Sequence, residues 1–124
     1  MAGYIDDGYT RKGYIKPLDG FHEGLRFEYR PVTVVERSRI LARVAACGGT
    51  KPEQIEKGVR EASRCIVEKL TSWDLVNREG EAVKISEEGV SRLEPHLHGQ
   101  LFDIITGTQP SDENPVDEEA ELKN

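Results

Sequence analysis

Long hydrophobic runs are missing from this chain. The longest apolar stretches span only a few residues, as in Val44-Ala45-Ala46-Cys47, far short of the roughly 20 a membrane-spanning helix needs. The start lacks the basic-then-apolar pattern of a secretory signal, because Asp6 and Asp7 arrive at once. The chain is therefore expected to stay where it is made. Cysteine is scarce: Cys47 and Cys65 are the two present, with no C-x-x-C spacing, so a thiol metal or redox site of that type is not expected. Nothing indicates an oxidising compartment, and two reduced thiols behaving as small hydrophobes is the simpler reading. Aromatic residues make up 6% of the 124 positions, which makes each one a candidate for a core or contact role.

Catalytic signatures are also missing. There is no G-x-S-x-G, Walker loop, H-E-x-x-H or dinucleotide glycine pattern. Gly48-Gly49-Thr50-Lys51 looks faintly like a phosphate loop, but no strand or spaced first glycine precedes it. It reads better as a helix stop followed by a new helix start. Asp6-Asp7 and Glu87-Glu88 are adjacent carboxylates whose side chains diverge, so neither pair supplies a general acid and base. His96 and His98 are two apart and point in different directions on a helix. With no third ligand close in sequence to them or to His22, no metal site is expected. The expectation is a non-enzyme without a cofactor.

Hydrophobic residues at 36% and charged residues at 32% suit one modest core. The net charge is −6, and residues 108–124 hold −5 of it, six acids against one base, so the preceding 107 residues are nearly neutral. Neither part has the basic footprint of a nucleic-acid binder. The acidic end, with two prolines and no apolar period, reads as a disordered tail over 108–124. It serves either for solubility or as a lure for a basic partner.

At the other end, Gly3-Tyr4, Gly8-Tyr9 and Gly13-Tyr14 recur every five residues, a spacing that matches neither helix nor strand. Residues 1–23 are read as an extended arm. Tyr4, Tyr9 and Tyr14 are candidate partner contacts, because tyrosine offers a large apolar face and a hydroxyl at small entropic cost; a chance repeat is the plainer alternative.

Between these ends, 24–107 reads as a single domain, mainly α with minor β. Leu25 to Arg30 alternates apolar and charged, a half-buried strand with Leu25, Phe27 and Tyr29 on one face. Thr33 and Glu36 have capping-box spacing before a helix that Gly48-Gly49 ends. Thr50 and Glu53 repeat that spacing before a long helix over about 51–71 with Ile55, Val59, Ala62, Ile66 and Leu70 on one stripe. The two helices are expected to form an antiparallel hairpin. Segments 72–76 and 82–85 bracket Gly80 as a short β-hairpin, and Pro95 opens a C-terminal helix with Leu97, Leu101, Ile104 and Ile105 inward.

The stretch Ser72-Trp73-Asp74-Leu75-Val76-Asn77-Arg78-Glu79-Gly80-Glu81-Ala82-Val83-Lys84-Ile85-Ser86, with Leu93 behind it and Phe27-Glu28-Tyr29-Arg30-Pro31 ahead of it, resembles the small tail assembly proteins of long-tailed bacteriophages. The resemblance runs over residues 25–113 and leaves the Gly-Tyr arm unplaced. It implies a tail assembly chaperone in the host cytoplasm, bound to the tape-measure protein and to tail-tube subunits, with no cofactor. Such a role asks for apolar walls around a partner segment. Trp73, Phe102, Leu101 and Ile105 are the candidate contacts, Trp73 being equally readable as the largest core side chain. Two other readings stay open. One is a structural virion component, a tail-completion or connector subunit. The other is a winged-helix regulator with its wing over 73–85, against which the balanced charges and length of the preceding helix count.

Overall fold

The computed structural model describes residues 9–113. Its elements are β1 (Arg11–Ile15), β2 (Leu25–Tyr29), α1 (Val34–Ala46), α2 (Pro52–Lys69), β3 (Leu70–Trp73), α3 (Glu87–Ser91) and α4 (Pro95–Ile105). The three strands form one antiparallel sheet in the order β1-β2-β3. The expectation of a mainly helical fold is therefore corrected: among the described residues four helices accompany a three-stranded sheet, and the architecture is mixed α and β.

β2 buries Leu25, Phe27 and Tyr29 and turns Arg26 out, the alternation its sequence carries. β1 lies in the stretch read as an irregular arm. It pairs with β2 from Arg11 against Tyr29 to Ile15 against Leu25. Gly13 faces Phe27, and a side chain there would meet the Phe27 ring at 2.4 Å. The ring fills the place that a residue at 13 would have taken. As an edge strand, β1 needs partners for its outer backbone groups. Residues beyond α4 supply them. Tyr14 N donates to Ser111 Oγ at 2.7 Å, Asp112 N donates to Tyr14 O at 2.9 Å, and Lys16 N donates to Asp112 Oδ2 at 2.9 Å. The first part of the expected disordered tail is thus docked on the sheet, a second correction. Residues 114–124 lie outside the described residues.

β3 follows α2 without a break, its first residue Leu70 being the C-cap of that helix. The expected hairpin over 72–85 is not a pair of strands. It contains a single bridge, Val76 to Ala82. The loop is closed by backbone bonds from Val83 N to Leu75 O and from Asn77 N to Glu81 O, by Asn77 Oδ1, which accepts from Glu79 N and Glu81 N, and by the Trp73 indole N–H donating to Val83 O at 2.7 Å.

Both long helices begin on side-chain caps. Thr33 and Glu36 form a reciprocal capping box on α1. On α2 the cap sits one residue later than Thr50: Lys51 is the N-cap, and its N donates to Gln54 Oε1 at 3.2 Å. Pro52 decides this, because it prefers the first helical position and forces the residue before it into an extended conformation.

The core gathers Ile15, Leu25, Phe27 and Tyr29 from the sheet, Cys65 and Ile66 from α2, Val90 from α3, and Leu97, Leu101, Ile104 and Ile105 from α4. Each fully buried aliphatic side chain contributes roughly 1.5–3 kcal/mol. α1 gives this core only Ile40 as a buried residue.

Candidate functional site

α2 is buried along its second half and bare along its first. Ala62, Ser63, Cys65 and Ile66 are buried. Ile55 is 55% exposed and Val59 43%, although both lie on the same helical stripe as Ile66. α3, the element that borders this part of the stripe, is five residues long. The result is a groove of about 460 Å³ lined by Ile55, Glu56, Val59, Arg60 and Ser63 of α2 and by Glu87, Glu88 and Ser91 of α3.

The ends and walls of the groove are fixed by polar contacts. Ser63, 2% exposed, shares a 2.9 Å hydrogen bond with His98 Nε2 of α4. Burial holds the His98 pKa below the ordinary histidine value, so the ring is neutral at neutral pH. Arg64 lies 3.3 Å from Glu61 and 3.7 Å from Glu87, which links α2 to α3. At the far end of the hairpin, Lys69 pairs with Glu36. That hydrogen bond is the main reason the Glu36 carboxyl sits below its usual range.

The residues expected at the site are dispersed. Leu101 and Ile105 are 0% and 1% exposed, inside the core, and cannot meet a partner without opening it; as contact residues they are corrected. Phe102 and Trp73 are half-buried against that core. Tyr14 is half-buried in β1, and Tyr9 accepts a 3.0 Å hydrogen bond from Arg11 Nε, whose guanidinium lies 5.8 Å from its ring centroid. Tyr4 lies outside the described residues. Ile55 and Val59 had been placed in the core stripe. No signal in the sequence of α2 separates them from Ile66 on that stripe.

Burial pushes the Cys65 thiol up to about 11, so it stays protonated and inert.

The chain finds no counterpart among family models, curated proteins or solved structures. Among the described residues, no helix is long and apolar enough to cross a membrane.

The groove has the chemistry of a weak docking site. Two aliphatic side chains at i and i+4 form an apolar strip, and carboxylates and a guanidinium flank it. That pattern suits the apolar face of an amphipathic helix. Covering two side chains that are each about half exposed supplies on the order of 1 kcal/mol apiece. Such an interaction forms and releases readily.

Proposed function

We propose that this chain is a non-catalytic assembly chaperone that holds a helical segment of a partner in the groove between α2 and α3. The observation that carries the reading is the uncovered pair Ile55 and Val59 on an otherwise buried stripe. The resemblance over residues 25–113 supplies the partner's identity: the tape-measure protein of a long-tailed phage, with tail-tube subunits recruited afterwards, in the host cytoplasm. A tape-measure protein is long and helix-forming, and before assembly its apolar stripes are bare. A chaperone for it needs a shallow apolar strip, a charged surround and modest affinity, since the client must be handed on. The groove supplies the apolar strip and the charged surround.

Co-expression with a tape-measure protein tests this. The chain is expected to keep the tape-measure protein soluble and to co-purify with it, and the double variant Ile55→Asp/Val59→Asp is expected to do neither while folding normally. Detecting the chain in finished virions would replace the chaperone reading with that of a structural tail component. The order β2-α1-α2-β3, followed by the loop 74–84, keeps a winged-helix role in view. The balanced charge of α2, where Glu53, Glu56, Glu61 and Glu68 offset Lys57, Arg60, Arg64 and Lys69, opposes it, and no retardation of duplex DNA is expected even at low salt.

A further inference from the structure

Side chains far apart in sequence converge beside α4. His22 lies in the connection between β1 and β2. Glu94 caps α4 and His96 sits in its first turn. The His22 and His96 rings stack with centroids 5.2 Å apart, and one ligand atom from each of the three residues lies within 4.8 Å of the others. We propose that His22, Glu94 and His96 bind a divalent transition-metal ion of the zinc class.

The distances fit such an ion. His22 Nε2 lies 2.9 Å from His96 Nδ1 and 4.0 Å from Glu94 Oε2. These straddle the roughly 3.3 Å that separates donors around a tetrahedral ion with bonds near 2.0–2.2 Å. Two imidazoles and one carboxylate favour zinc, cobalt, nickel or copper over magnesium and calcium, which take oxygen donors.

The outer contacts orient the donors. His22 Nδ1 is 2.9 Å from Glu23 O. An N–H there donates to the carbonyl and leaves the Nε2 lone pair facing the site, the support typical of metal-binding histidines. Glu94 Oε2 accepts from Leu97 N at 3.0 Å, which fixes the carboxylate. Gln100 stands next to His96, its Nε2 3.4 Å from His96 Nε2, while its buried Oε1 has no hydrogen-bond partner. Rotating that amide by half a turn puts an acceptor at His96 Nε2. This matches the tautomer that leaves Nδ1 free for a metal. His22 and Glu94 also line a cleft of about 940 Å³ beside Asp74, Leu75 and Glu88, so a fourth position is open to water from the cleft.

The test uses the full chain, stripped of metal with a chelator and titrated with Zn²⁺ against a competing chromophore, and separately with Co²⁺. One equivalent is expected to bind, to raise Tm, and to give a Co²⁺ spectrum without thiolate charge-transfer bands. His96 is exposed, so His96→Asn keeps the fold, as its far-UV circular dichroism and chelator-treated Tm will show. It is expected to weaken binding by on the order of 100-fold, since even supporting residues around a metal cost 10–100-fold. His22→Asn, at a half-buried position, is expected to do the same, and Cys47→Ser to change nothing. Equal binding by wild type and His96→Asn would overturn the proposal, as would loss of binding in Cys47→Ser; the two histidines would then be a hydrogen-bonded tie between loop and helix.

Discussion

The two halves of α2 have similar patterning and opposite fates. From Ala62 to Ile66 the stripe belongs to the common core with α4 and the sheet residues, and Ile66 has no exposed surface. From Pro52 to Arg60 the same stripe meets α1 and the rim of a five-residue helix, and Ile55 and Val59 face solvent. An amphipathic pattern states which residues want cover. It does not state whether the rest of the chain has enough surface to give it. Here the core half of α2 is buried in the common core, and the bare half is the part proposed to meet a partner.

Substitutions that break this contrast differ most in the core half. Leu101→Ala or Ile66→Ala removes a side chain with no exposed surface and is expected to cost about 2–5 kcal/mol, read as a lower midpoint in urea. Ser63→Ala leaves His98 Nε2 without its partner and is expected to cost about 1–3 kcal/mol. Thr33→Ala deletes the capping box of α1 and is expected to cost about 1 kcal/mol. Ile55→Asp and Val59→Asp, at exposed positions, are expected to stay within about 0.5 kcal/mol of wild type. A large loss of stability there would mean the first half of α2 is core after all.

Acid should act on the buried half through His98. Its folded pKa lies below the unfolded value of 6.5, so below pH 6.5 the unfolded chain takes up a proton that the folded chain refuses. Stability is full above that pH and falls as pH drops through the window beneath it. His98→Gln should flatten this part of a Tm-against-pH curve. The Glu36 carboxyl, held low by Lys69, adds a further loss only below its unfolded value of 4.5.

Much of the fold was readable where local pattern and local partner coincide. β2 shows its alternation because its buried face is filled by its own Leu25, Phe27 and Tyr29. α4 shows Pro95 at its start and an apolar period behind it. β1 hid for the opposite reason. Its middle residue is Gly13, and the side chain that occupies that place, Phe27, belongs to the neighbouring strand. Acidic composition likewise hid the docking of Ser111 and Asp112, because three backbone contacts to β1 need no apolar residue.

The site was harder to see. Leu101 and Ile105 carried the apolar character expected of contacts and went inside, while Ile55 and Val59 carried the same character and stayed out. Only the positions of α1, α3 and α4 distinguish the two pairs. The meeting of His22 with His96, 74 residues apart in sequence, likewise depends on the turn after β1 and the start of α4 coming together. The two-residue spacing of His96 and His98 argued against a metal site, and His98 does turn away, to Ser63, but the partner of His96 comes from the distant loop.

The most direct measurement is a calorimetric titration of the full chain with a helical tape-measure segment, run in parallel on wild type and Ile55→Asp/Val59→Asp. The account predicts weak, saturable binding by wild type with a negative heat-capacity change, and none by the variant at an unchanged Tm. Equal binding by both proteins would contradict it.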